Sequence, residues 1–207
     1  MTYMILILSA LLFSLSSNLD NLVIGIAYGI KKIRIGTAAN LIVALVTSTG
    51  TFLSMLLGIY VSKFLPSFLS NSLGAGIIII LGLYFVIQSI FKLINNKKIK
   101  ELALKNTNDM IEYAEKSDLD KSGDIDKKEA LLVAFALTFN NFGTGVAASV
   151  TGVNIELTVI LTFIISICTL KLGERAGNHI LGKFLGKFAP LISGLLLISL
   201  GVIELFN

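Results

Sequence analysis

The stretch Asp118-Leu119-Asp120-Lys121-Ser122-Gly123-Asp124-Ile125-Asp126-Lys127-Lys128-Glu129 spaces its oxygen-bearing side chains as a twelve-residue calcium loop requires. Asp118, Asp120 and Ser122 stand at positions one, three and five. Gly123 permits the sharp turn at six, and Asp124 offers its backbone carbonyl at seven. Ile125 is the apolar residue at eight, Asp126 reaches the ion directly or through water, and Glu129 closes the site as a bidentate ligand at twelve. A charge run of this kind can also be solvated surface, and Asp and Ser cap helices. Six side-chain identities and a glycine at fixed spacing favour an EF-hand-like loop with Ca2+ as its cofactor.

A second polar cluster lies in apolar surroundings. Asp20 is flanked by Asn18 and Asn21 in Ser16-Ser17-Asn18-Leu19-Asp20-Asn21. A carboxylate at mid-membrane depth costs about 2.5–3.5 kcal/mol on insertion scales and marks a functional site by default. Asn140 and Asn141 form a similar cluster further on, and small residues follow both: Gly25 and Gly29, then Gly143, Gly145 and Ser149. Carboxylate and amide oxygens suit a hard divalent cation such as Mn2+, Mg2+ or Ca2+. The expected transport site is therefore Asp20, Asn21, Asn140, Asn141 and Asn18. The bland alternative is that Asp20 only fixes helix packing. Thr47, Ser48, Thr49, Thr51, Thr162, Ser166 and Thr169 are second-tier candidates, because such hydroxyls usually bond back to their own helix.

The elements that must position these residues follow from composition. Hydrophobic side chains make up 55% of the 207 residues and charged ones 14%, with a mean hydropathy of +0.86. That balance excludes a disordered chain, a nucleic-acid arm and most water-soluble enzymes. No nucleophile–base pair is evident and there is one histidine, so no enzyme is expected. Six stretches are long and apolar enough to span a bilayer: roughly 4–30, 37–61, 71–94, 129–150, 155–172 and 188–206. Sixteen of the seventeen basic residues fall in the odd-numbered connections, Lys63 being the exception. By the positive-inside rule those connections are cytoplasmic and both termini face outward.

The remaining ionisable residues carry less. Glu156 and Glu174 are expected to be solvated, and Glu204 to snorkel at the outer surface. His179 falls in a Lys- and Gly-rich connection and is not expected to be a ligand or a proton relay. Lys97, Lys98 and Lys100 read as anchors to anionic lipid.

Sliding the chain by 120 residues aligns Ala10-Leu11-Leu12 with Ala130-Leu131-Leu132, Asp20-Asn21 with Asn140-Asn141, and Gly25 with Gly145. It also aligns Lys63-Phe64-Leu65 with Lys183-Phe184-Leu185 and Gly74 with Gly194. Three helices per half is an odd number, so the halves are oppositely oriented, the signature of an inverted-repeat transporter. The expected fold is an all-α membrane protein of six transmembrane helices in a 3+3 inverted repeat. Residues 1–94 form the first repeat, 95–128 the cytoplasmic linker with its calcium loop, and 129–207 the second repeat.

On these residues the chain resembles the MntP/YtaF group, manganese efflux pumps and related sporulation membrane proteins. The resemblance runs over essentially the whole length. It rests on Asp20 to Gly29 with Lys31-Lys32, on Ala130 to Ala147, and on Leu172-Gly173-Glu174-Arg175-Ala176-Gly177 leading to Gly194-Leu195-Leu196-Leu197-Ile198. The calcium-type loop is more similar to the sporulation branch. The resemblance implies that the first helix of each repeat places an aspartate on the cation. Asp20 matches the first position, and Asn140 stands at the second, which removes one formal charge.

The leading expectation is a multi-pass cell-membrane protein that exports a divalent cation, Mn2+ first and Ca2+ second, under calcium regulation. The rival readings are a non-transporting calcium-binding sporulation membrane protein and an exporter of a small organic solute, as in the wider lysine-exporter-like superfamily. Expected partners are the bilayer and divalent ions, with no nucleic acid. A lone hand also lacks a second loop to pair with, which a second copy of the chain in a homodimer could supply.

Overall fold

The computed structural model describes residues 3–94, 112–177 and 180–206. Six long helices dominate: α1 (Tyr3–Lys31), α2 (Thr37–Ser62), α3 (Ser67–Ile94), α5 (Lys127–Val150), α6 (Ile155–Gly177) and α7 (Ile180–Leu205). A short helix α4, over 112–117, leads into the polar loop. Two-residue strands β1 (Arg34–Ile35) and β2 (Asp124–Ile125) pair in parallel. Each of the six long helices contains a span apolar enough to cross a membrane. In hydrocarbon the helix satisfies every backbone N–H and C=O within its own segment. Large apolar side chains such as Phe52, Leu57, Ile80, Phe91, Phe139 and Ile160 are exposed on the bundle surface, where lipid suits them. The chain is an all-α, multi-pass membrane protein.

Three helix boundaries differ from the expected ones. α3 begins at Ser67, α6 continues to Gly177, and α7 starts at Ile180, absorbing most of the Lys- and Gly-rich connection. A glycine costs a helix only about 1 kcal/mol. Where water is scarce, the backbone hydrogen bonds kept by staying helical outweigh it. Pro190 sits inside α7. His179 and the lysines at 97, 98 and 100 lie outside the described residues.

The helices pair mainly across the two halves of the chain: α1 lies on α6, α2 on α5, and α3 on α7. Small residues permit this. A Cβ on Gly25 would lie 2.4 Å from the Leu170 carbonyl oxygen, and one on Gly29 would lie 2.1 Å from that of Glu174. Gly173 and Gly177 of α6 complete the crossing. The α2–α5 contact is built alike: Gly145 meets Ser54, Gly58 meets Ser149, and the Ser149 hydroxyl donates to the Met55 carbonyl at 2.5 Å. Lipid supplies no hydrophobic drive between helices, so close approach of backbones does the work. The ends of α1 and α5 are capped alike, each by its own residues. Ile33 N–H returns to Tyr28 O, and Val153 N–H to Ala148 O, around left-handed residues Lys32 and Gly152.

Two apolar clusters fill the bundle. One, towards the end carrying the termini, joins Phe13, Met55, Ile78, Ala147, Leu197 and Leu200. The other, towards the linker, joins Tyr28, Ile33, Ile35, Ala114, Ile125 and Val133, and so fastens the polar loop onto the base of α1, α2 and α5.

Gly29→Ala should overpack the α1–α6 crossing and cost about 1–3 kcal/mol. Gly76→Ala, with nothing within 4 Å of its Cβ, should be neutral or slightly stabilising. Thermal unfolding of the detergent-solubilised variants measures both, and equal melting temperatures would contradict the crossing.

Candidate functional site

Helical spacing puts Ser9, Ser16 and Asp20 along one face of α1. Across from Asp20, Asn140 donates an amide N–H to its Oδ2. Asn141 donates to the Ser17 carbonyl at 2.8 Å and more weakly to Asp20 Oδ2 at 3.4 Å. Asp20 and Asn141 are part-exposed and Asn140 is exposed. The structure thus brings together three of the five expected residues. Asn18 and Asn21, each 1% exposed, instead turn into the α1–α6 contact. There Asn21 Nδ2 donates to Asn18 Oδ1 and to Ser166 Oγ, both at 2.8 Å, and Asn18 Nδ2 donates to Ser14 O at 2.8 Å.

A small cavity adjoins both groups. It is lined by Ser17, Asn18, Asn21, Thr47, Thr51 and Asn141 among others, and has room for about one water-sized body. Thr138 and Ser54 also line it. Neither stands out in the sequence, since each bonds back to its own helix like many membrane-buried hydroxyls. Of the second-tier hydroxyls, Thr47, Ser48, Thr49 and Thr169 are back-bonded. Thr162 instead donates to Ser14 Oγ at 3.2 Å, and Ser166 accepts from Asn21.

The arrangement has a direct chemical consequence. Asp20 is an acceptor whose partners are amide N–H groups, so the asparagines present donors to it. Rotation of either amide would present a carbonyl oxygen instead. One carboxylate and two amides can therefore be either a self-satisfied hydrogen-bonded cluster or a set of oxygen ligands.

The linker loop folds around three carboxylates. Oxygens of Asp118, Asp120 and Glu129 lie within 4.8 Å of one another. Gly123 at φ +80° and Lys121 at φ +55° make the turn. Ser122 N–H donates to Asp118 Oδ1 (3.0 Å) and Asp120 Oδ1 (2.9 Å), and Gly123 N–H to Asp118 Oδ2 (3.0 Å). Bonds from the Ser122 hydroxyl and amide hold the Asp120 carboxyl below its ordinary range, so it is ionised at neutral pH. Glu129 Oε1 accepts from Leu119 N–H at 2.6 Å. Asp126 and Glu129 form a reciprocal capping box that starts α5. Asp126 thus serves the helix start, Asp124 keeps an exposed side chain, and the Ser122 hydroxyl donates to the Asp124 carbonyl at 3.0 Å.

The loop's short strand has a partner in its own chain. Arg34 pairs with Asp124 and Ile35 with Ile125, and Arg34 N–H donates to Gly123 O at 2.9 Å. The α1–α2 connection therefore occupies the place where a second loop would pair. Lys171 of α6 donates to Ile35 O at 3.1 Å and binds Glu174 at 2.7 Å, while Lys31 pairs with Glu115 of α4. Two acids depart from expectation. Glu174 is engaged by Lys171 instead of being free in solvent. Glu204 is only 1% exposed and accepts from the Ser9 hydroxyl at 2.5 Å, so it does not snorkel. A helix face that looks peripheral by position is covered here because α1 extends past the start of α6 and packs on α7.

The chain is 33% identical over 209 residues to "Probable sporulation protein YtaF" of Bacillus subtilis (strain 168), covering 95% of this chain and 98% of that protein. No family model matches the chain, and no solved structure does.

Asp126→Ala should cost about 1 kcal/mol by removing the cap of α5, while Asp126→Asn should keep most of it. Thermal melts in calcium-free buffer read this directly, and an unchanged Asp126→Ala would refute the capping role.

Proposed function

The chain belongs to the YtaF family, and from that premise we propose that it is a secondary transporter that exports a divalent cation during sporulation, with calcium at the linker loop as its regulator. Mn2+ is the first substrate and Ca2+ the second. The observation that carries the reading is the meeting of Asp20 with Asn140 and Asn141, residues 120 apart in sequence, within the membrane-spanning bundle. Its support is the duplicated packing. At the same offset Gly25 and Gly29 correspond to Gly145 and Ser149, and both pairs make close crossings on a helix of the other half. A 3+3 inverted repeat accounts for this, with the linker in the cytoplasm and both termini outside.

In this mechanism the amides of Asn140 and Asn141 hydrogen-bond Asp20 Oδ2 when no cation is held. An arriving ion turns them, so that Asp20 Oδ2 and the amide oxygens become ligands, with Asn18 and Asn21 around the adjoining cavity. With one carboxylate instead of two, the site holds a divalent ion more weakly and releases it more easily. A cavity with room for about one water favours an ion over an organic solute.

The loop's donors fit Ca2+: three carboxylates and the Asp124 carbonyl are hard oxygens. Bound calcium would hold the carboxylates of Asp118, Asp120 and Glu129 in one place. Glu129 belongs to the first turn of α5, about 16 Å along the helix from Asn140. β2 holds β1, which continues into α2 and follows α1, whose end at Lys31 is about 16 Å along the helix from Asp20. Calcium thereby reaches the bases of both helices that build the transport site.

A second reading is favoured by the hydrogen bonds themselves. They already occupy Asp20 Oδ2, as a non-transporting calcium-binding sporulation membrane protein would require. Flux of Mn2+ and Ca2+ into proteoliposomes separates the two, with intact protein compared to Asp20→Asn, with and without calcium on the linker side. Export predicts at least a tenfold loss in Asp20→Asn and a calcium-dependent rate. In parallel, calcium at a hundred times Kd should stabilise the protein by about 2.7 kcal/mol, and Asp120→Asn should weaken that effect. No flux, with the calcium response intact, would establish the second reading.

A further inference from the structure

Glu204 is a buried carboxylate of α7, 1% exposed, and the mechanism above leaves it unused. Ser9 and Glu204 extend the α1–α7 contact beyond the apolar cluster. Ser9 is one turn from Phe13 and Glu204 one turn from Leu200, both members of that cluster. Deeper along the same contact, Ser16 and Ser193 hydroxyls meet at 2.8 Å. Glu204 Oε1 accepts from Ser9, whereas Oε2 is buried without any donor. Among the described residues it takes part in no ion pair. Among the described residues, the side chains of Lys63 and Glu156 carry charge at the same end of the bundle and do not bond to it. An ionised carboxylate with one neutral hydroxyl and a bare oxygen is a costly thing to enclose in apolar surroundings.

The facing helix carries a second unsatisfied oxygen. α3 and α7 run antiparallel, with Gly82 against Gly194 and Gly201 against the Ala75 carbonyl. One turn further on in each helix, Glu204 comes level with Asn71, whose Oδ1 is also buried without a donor. Two orphan acceptors at one level lack a single hydrogen. A proton on Glu204 would turn its bare oxygen from acceptor into donor, and Asn71 at the same level carries an acceptor without a donor.

We propose that Glu204, seated between Ser9 and Asn71, is a proton-binding site at the end of the bundle that carries the termini, and that this proton is the counter-ion of the exported cation. The second half of the proposal rests on the transport reading. Phe13, Leu197 and Leu200 lie between this site and the Asp20 cluster, so the two exchange their ions on separate sides of an apolar plug. The charge absent at Asn140 thus has a counterpart elsewhere in the bundle, where it binds a proton and leaves metal binding to Asp20.

Infrared spectroscopy of the lipid-reconstituted protein tests the site without any transport. A neutral carboxylic-acid carbonyl band should be present at neutral pH, vanish in Glu204→Gln and shift in Ser9→Ala. A missing band, or one that survives Glu204→Gln, overturns the proton site. Coupling is tested in proteoliposomes with Mn2+. In Glu204→Gln, uptake driven by a pH gradient should fall at least tenfold, while Mn2+/Mn2+ exchange stays within twofold of the intact protein. Loss of exchange as well, or full pH-driven uptake, overturns the coupling. If the intact protein itself shows no exchange, the transport reading fails, and the infrared band alone decides whether Glu204 holds a proton.

Discussion

Everything in this bundle depends on backbones that touch. Lipid tails are as apolar as leucine, so helices gain little by hiding leucines from them, and they associate through packing and hydrogen bonds. At Gly25, Gly29, Gly173 and Gly177 the approach is so close that a methyl group would meet a carbonyl oxygen. Such proximity lets short polar side chains reach across: Asn21 finds Ser166, Thr162 finds Ser14, and Ser149 finds the Met55 carbonyl. With larger residues at the crossings, these groups would be stranded in hydrocarbon. The glycines are therefore as much a part of the polar site as the asparagines they bring together.

Much of this architecture was legible in the residues. Six apolar runs specify six long helices, because in a membrane length and hydropathy decide the outcome almost without regard to tertiary context. The pairing of Asp20 with Asn140 followed from a 120-residue offset that puts like beside like. The misses share one cause, which is that side-chain direction depends on the neighbouring helix. Asn18 and Asn21 flank Asp20 in sequence, and a 100° step per residue sets them in the α6 contact and along the cavity they share with Asn141 of α5. Glu204 sits near a helix end, and only the extra length of α1 makes that position an interior one. The continuation of α7 back to Ile180 was hidden by glycines and lysines, which mark a loop in water but not at a membrane boundary.

The loop between the halves shows a different kind of dependence. Its twelve residues match a calcium-loop pattern by spacing alone, because such a pattern is set by local backbone geometry. Its partner strand is not readable in that way. Arg34-Ile35 is a two-residue element whose pairing with Asp124-Ile125 is decided by the shared cluster of Tyr28, Ile33, Ala114 and Val133 beneath it. The loop's short strand is therefore paired within its own chain, on an edge supplied by the first helical connection.

The cross-half pairing of helices has a consequence for biogenesis. α1, α2 and α3 each find their main partner in a segment synthesised later: α6, α5 and α7. When the ribosome has delivered the first 94 residues, three helices are in the bilayer with their glycine seams facing lipid and Asp20 without the asparagines that meet it. The nascent protein must remain in that half-made condition until the second half inserts. Its quality control is then simple in principle, since a chain truncated anywhere before α5 leaves an unmatched carboxylate and open seams for membrane proteases to recognise.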